Sequence, residues 1–344
     1  MRYSLVELAP VVPGSSKPAA LEHAVAAAGE AERLGYHRFW YAEHHHATGY
    51  AAQDPVPLIA VASRETSRIR IGSGAILLNH HSPYAVAERF MMLEALAPGR
   101  IDLGLGRSSA GPLVDHALRR ERGAAPVDDF FAQVQEIVGL FHHAFDPSHP
   151  FHAIDVTHGI EGVPQVWVLG SSGNSAALAG QLGLGYTFGS HINPAMTHPA
   201  LDRYRRSFTP TSFGPEAPEV MLTLNIVAAD DEELAHRLTW PARAMRAGGR
   251  DRPIPTLAQA DGELDAAQKA QSSTIRGDLI PSQISGTPET LRAQLEPLVR
   301  STGATEIMVQ EMLTDPELRS RSRELIARTL AAIEVPEPSA VRSG

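Results

Sequence analysis

The chain alternates between short runs of apolar and small residues and longer stretches whose apolar positions recur at helical spacing. Tyr3 to Leu8 is an alternating run closed by Pro10, Pro13 and Gly14, which predicts a first strand. Ser16-Lys17-Pro18 opens a helix whose Leu21, Val25, Ala28 and Leu34 keep one face apolar as far as Gly35. Tyr36 to Ala42 predicts a second strand, and Asp54-Pro55 caps a helix running to Thr66. Ile69 to Leu78 is nearly continuous in apolar and small residues, as a strand buried on both faces should be. Ser82-Pro83 starts the next helix, which stops at Ala97-Pro98-Gly99 ahead of a fourth strand, Ile101 to Gly106. The helix from Asp128 to Phe145 carries Phe131, Val134, Ile137, Leu140 and Phe141 on a broad apolar face. Val166 to Leu169, Leu184 to Phe188 and Val220 to Ala228 follow as strands five to seven, each leading into a helix. Thr287-Pro288-Glu289 caps a further helix, Thr305 to Gln310 is the eighth strand, and a last helix runs from Asp315 to Ile333.

Eight strand–helix units at this spacing predict a parallel sheet closed into a (β/α)8 TIM barrel, a single domain over residues 1–335. Residues 248–285 break the rhythm with Gly248-Gly249, Pro253, Pro255 and no sustained period; so long an insertion in a compact domain is a functional lid or is disordered. Residues 336–344 read as a flexible tail. The rival architecture is a doubly wound open sheet. Gly104-Leu105-Gly106 resembles part of a dinucleotide loop, but Ser109 stands where a third glycine or alanine belongs, and the run follows the fourth strand instead of the first.

Composition narrows the function. Hydrophobic residues make up 43% of the 344 and charged residues 20%, enough for a packed core. A net charge of −9 argues against binding nucleic acid, which calls for a basic stripe. No stretch matches a membrane span or a signal peptide, so a cytoplasmic protein is expected. Cysteine is absent, which removes disulfides, thiolate nucleophiles and zinc–thiolate sites.

In a barrel the reactive groups gather at the carboxyl ends of the strands. The predicted exits read Glu43-His44-His45-His46, then Asn79-His80-His81, Arg107-Ser108-Ser109, Ser171-Ser172, and His191 with Asn193. Imidazole suits proton transfer near neutral pH, and a neighbouring carboxylate can fix its tautomer. Arg107 offers a bidentate donor fork, and Ser172-Gly173-Asn174-Ser175 opens a helix whose free amides favour phosphate. A surface ion pair for Arg107 and plain helix capping for the serines are the simpler accounts. Gly74 within the third strand marks a kink, a close approach or tight packing. His142, His143, His149 and His152 share no carboxylate and read as surface residues. The three-histidine run lacks the His-Glu-x-x-His spacing, so no metal site is assigned.

At these residues the chain resembles the bacterial luciferase-like flavin monooxygenases, over nearly its whole length. The resemblance is carried by Ala42-Glu43-His44-His45, by Gly74-Ala75-Ile76-Leu77, and by the run from Ala97 through Gly106-Arg107. Leu169-Gly170-Ser171-Ser172 and Gly286-Thr287-Pro288-Glu289-Thr290 complete it. It implies a barrel that binds reduced FMN, supplied by a separate flavin reductase, and turns molecular oxygen on a small organic substrate. By resemblance His44 is the proton-transfer histidine, Glu43 its orienter and His45 a neighbour. Gly74-Ala75 falls at a non-prolyl cis peptide beside the flavin ring. Arg107, Ser172 and Ser175 hold the phosphate, with Ser171 and Asn79 in the same cofactor-binding set, and the lid shields the reaction from water. Specificity would lie in the lid and in the loop from Ala110 to Val127. A homodimer through early helices is also implied. Two departures bear on light emission: Ser171 replaces a glutamate of the luciferase subunit, and Gly106 replaces a cysteine. The alternatives are a deazaflavin-dependent dehydrogenase on the same fold, a non-catalytic flavin-binding protein and, as an outsider, a metal-dependent barrel hydrolase.

Overall fold

A computed structural model describes residues 1–119, 122–123, 128–249 and 252–334. The expected tail at 336–344 and part of the Ala110–Val127 loop lie outside the described residues. The strands are β1 (Arg2–Glu7), β2 (Arg38–Tyr41), β3 (Arg70–Leu77), β4 (Ile101–Gly106), β5 (Gln165–Gly170), β6 (Gly185–Gly189), β7 (Val220–Ala228), β8 (Ile284–Gly286) and β9 (Glu306–Gln310). β1 to β7 pair in sequence order, all parallel, and β9 pairs with both β7 and β1. The sheet is therefore a closed eight-stranded barrel, and the open doubly wound alternative is excluded. β8, three residues long, adds to the far end of β7 outside that ring through Ile226–Ile284 to Ala228–Gly286.

The helices begin where capping residues place them. Ser16, Asp54, Ser172, Thr287 and Asp315 each accept a backbone N–H in the first turn of the helix they precede, satisfying donors that the helix cannot. The helix Pro112–Leu118 and β8 carry no pattern by which the sequence announces them. The segment at 248–285 is also less irregular than expected. It holds helices Leu257–Glu263 and Ala266–Lys269, each opened by a capping box, Thr256 with Gln259 and Asp265 with Gln268. Ile254 anchors it by burying among Tyr50 and Met245.

The core has two parts. Outward-facing side chains of the strands pack under the helices around Phe39, Phe90, Ile71, Phe141, Phe188 and Ile307. The barrel interior, by the two-residue strand period, is stacked in layers. At the amino ends of the strands, Arg38 donates to Asp102 (2.8 Å), Glu306 (3.1 Å) and Gln165 (2.9 Å), and Arg70 donates to Asp102 at 2.8 Å. Above lie Val6, Trp40, Trp167, Met221 and Met308, with Trp40 and Trp167 edge to face at 6.0 Å. The indoles need room that only glycine leaves. A Cβ on Gly185 would stand 2.7 Å from Trp167, and one on Gly74 would stand 3.1 Å from Trp40. Above this apolar layer the barrel opens.

Candidate active site

A cavity of about 810 Å³ occupies the open end. Its wall includes Glu43, His44 and His45 from the exit of β2, Gly74 and Ala75 in β3, Gly106 and Arg107 at the end of β4, Ser171, Ser172 and Ser175 after β5, and His191 after β6. Trp40, Val6 and Met308, from the layer below, also line it. Four of the five predicted strand exits thus open on one space. The fifth does so differently: Leu77 lines the cavity, but Asn79 is exposed, does not, and meets His80 Nε2 at 3.2 Å. A 3-10 turn over Leu78–His80 carries the Asn79 side chain away from the cavity.

The histidine run is held by the loop after it. Val11 donates to Gly49, Ala51 to Ala9 and His44 to Ala52, zipping residues 44–52 onto the segment after β1. The His44 ring packs on Tyr50 with centroids 4.6 Å apart. Glu43, buried, accepts from His45 Nε2 at 2.6 Å, His81 Nε2 at 2.9 Å and the Leu77 amide at 3.0 Å. Both of its oxygens are thereby engaged, one by the two rings and the other by the Leu77 amide. His81 belongs to the predicted exit of β3, but no local spacing signals its pairing with Glu43, because 38 positions separate the two. Burial pushes the Glu43 carboxyl up, but the hydrogen bond and charge of His81, the Leu77 amide and His45 outweigh it and hold the group below its ordinary range. His80 pairs instead with Asp115, 3.4 Å away, tying the helix Pro112–Leu118 to the exit of β3.

On the opposite wall Ser172 caps the helix Gly173–Gln181. The Ser175 hydroxyl lies 2.9 Å from the Ser172 carbonyl and 3.0 Å from the Tyr186 hydroxyl. Gly170 is needed here, since a Cβ would stand 2.0 Å from Ser175 Oγ. Arg107 is half exposed and pairs with Asp128, also at the cavity wall. The Gly74–Ala75 peptide is cis, as the resemblance implies, and the pairing of β3 with β4 shifts register there, between Ser73 and Ile76. A Cβ on Gly106 would stand 2.9 Å from the Ala75 Cβ. His191 donates through Nδ1 to the Thr223 carbonyl at 3.2 Å and turns toward the cavity. Among the described residues no group of three acidic or histidine side chains is placed to hold a metal ion.

The profile of the family described as luciferase-like monooxygenase matches residues 1–306. The chain belongs to that family. It is 37% identical over 332 residues to the luciferase-like monooxygenase of Escherichia coli (strain K12), covering 94% of this chain and 95% of that one. It is 31% identical over 311 residues to the N-acetyl-S-alkylcysteine monooxygenase of Bacillus subtilis (strain 168), covering 89% and 90%. The crystal structure of apo-MsnO8 superimposes with a TM-score of 0.85 at 34% identity, over 98% of this chain and 99% of that one. The FMN complex of the oxygenating constituent of 3,6-diketocamphane monooxygenase (TM-score 0.73, 19% identity; 98% and 99% covered) shares the fold. So does an F420-dependent secondary alcohol dehydrogenase (TM-score 0.64, 13% identity; 97% and 99% covered). As a member of this family the chain is an oxidoreductase, and no helix among its described residues is long and apolar enough to cross a membrane.

Proposed function

We propose that this luciferase-like monooxygenase binds reduced FMN, delivered by a separate flavin reductase, and uses molecular oxygen to oxygenate a small organic substrate in the cytoplasm. The observation that carries the reading is that a histidine cluster and an anion-suited helix N-terminus face one cavity, whose volume of about 810 Å³ lies in the range of small-molecule sites. The lining fits the cofactor. Ser172, Ser175 and the first amides of the helix Gly173–Gln181 suit a phosphate, with Arg107 on the same cavity. Gly74, Gly106, Gly170 and Gly189 leave walls without side chains where a flat ring can approach. Bound reduced flavin would supply two electrons to oxygen, one atom of which enters the substrate while the other leaves as water. His44 is the proton-transfer residue of this reading, its ring fixed against Tyr50. The segment at 248–285 is the lid. None of its described residues lines the cavity, so closure would come from movement about the Ile254 anchor. A homodimer belongs to the same reading, supported by Val61 and by Met92 and Leu96, exposed on two helices that pack together.

Anaerobic titration with reduced FMN and with reduced deazaflavin, followed by an oxygen pulse, tests the reading. Tight FMN binding with oxygen consumed, slowed by His44→Asn by roughly 10²-fold, is the expected result. Binding of deazaflavin alone, unchanged by oxygen, would replace oxygenation with hydride transfer. FMN binding with no dependence on His44 would leave a flavin carrier.

A further inference from the structure

Glu43 gathers three donors on two oxygens: His45 and His81, both through Nε2, on Oε1 and the Leu77 amide on Oε2. The carboxylate side chain is 1% exposed and each ring 17%, so water cannot readily substitute for these partners. An ionised carboxylate has only lone pairs to offer, so each imidazole must bring a proton on the nitrogen that meets it. A neutral imidazole has one N–H, and spending it at Nε2 leaves Nδ1 as its basic nitrogen. His80 does not compete for Glu43. Its ring stands edge-on to His45 at 6.1 Å, and its own carboxylate is Asp115.

We propose that Glu43 locks His45 and His81 together in the Nε2–H tautomer, making His81 a positioning residue and Nδ1 of His45 a second proton-accepting nitrogen on the cavity wall beside His44. The catalytic half of this statement rests on the monooxygenase reading, while the tautomer half stands without it. A carboxylate that orients an imidazole sets which nitrogen is basic as well as where the ring lies. The exit of β3 thus serves the site through His81, which reaches back to the β2 exit, and not through Asn79.

The test uses the full-length, flavin-free protein labelled with 15N-histidine. Long-range 1H–15N spectra at about pH 8.5, where an ordinary imidazole is neutral, report the tautomer of each ring. The expected result is Nε2–H for both His45 and His81. In Glu43→Gln the Leu77 N–H, which can only donate, claims the amide oxygen, so the NH2 faces both rings and they convert to Nδ1–H. In His81→Asn, which keeps Glu43 and its bond to His45, His45 stays Nε2–H; this variant and the wild type decide the matter should Glu43→Gln fail to fold. Nδ1–H on either wild-type ring, Nε2–H on both rings of Glu43→Gln, or a mixed His45 in His81→Asn would overturn the lock. With reduced FMN bound, a single oxygen pulse is expected to reoxidise Glu43→Gln about 10²-fold more slowly than wild type. An unchanged rate alongside the converted tautomer would remove the catalytic half. Failure of the wild type to bind FMN would remove the monooxygenase reading and leave the tautomer result intact.

Discussion

His37 stands at the closed end of the barrel, half-buried, with Arg38, Arg2 and Arg70 around it. Burial first, then the charges of Arg38 and Arg2, bring its imidazole down to about 4, against an opposing pull from Asp102. The unfolded chain binds a proton at this residue between pH 6.5 and 4 that the folded chain refuses, so stability from this group is complete above pH 6.5 and is lost as pH falls toward 4. Glu32, whose carboxylate accepts from the amides of Ser67, Arg68 and Ile69, lies at about 2 and adds a loss of the same sign further down. Urea midpoints at several pH values between 7.5 and 4.5, compared with those of His37→Gln, check the assignment. The variant should show a shallower decline, and parallel curves would count against it. Single residues were only partly legible in the sequence. Glu43, His44, His45, Arg107, Ser171, Ser172 and Ser175 sit at strand exits and line the cavity as expected. Asn79 and His81 share one exit, and which of them turns inward is set by a three-residue turn that no spacing encodes.

At the scale of elements, the strands were readable because each must alternate or run apolar to be buried, and proline or glycine punctuates nearly every one. Ile284–Gly286 escaped because three residues carry no period, and Pro112–Leu118 because none of its residues is buried and so no apolar stripe marks it. The ionic layer escaped as well. Arg38 and Glu306 open their strands and Asp102 is second in its own, but their convergence depends on barrel closure. Asp102 is fully buried and accepts from Arg38, Arg70 and the Trp40 indole. Burial would raise its carboxyl, yet the two guanidinium groups hold it low, whereas Glu306, with Arg38 and Ser4, is raised by burial. Replacing Asp102 with Asn leaves Arg38 buried and short of charge. The expected cost is about 3–5 kcal/mol, the range for breaking a buried pair, read as a lower urea midpoint. Because this layer lies at the end opposite the cavity, flavin affinity in the surviving folded fraction should be unchanged; a parallel loss of affinity would show that the two ends are coupled.

For the molecule as a whole, the eight-unit count gave the barrel, and the barrel in turn placed the site, since strand direction decides which loops share a face. Its association is the open quantity. Met92 is 66% exposed, with Leu96 and Val61 each at 50%. Met92→Lys combined with Leu96→Glu should therefore convert a dimer into a monomer in light scattering at micromolar concentration. An unchanged mass would place the contact elsewhere, and a monomeric wild type would end the dimer reading. The layering of the interior has a further consequence. With tryptophan, methionine and an ion-paired floor filling the barrel below the cavity, the chamber is a cup closed at its base. Whatever reaches the reactive side chains therefore comes and goes at the carboxyl ends of the strands and not along the barrel axis.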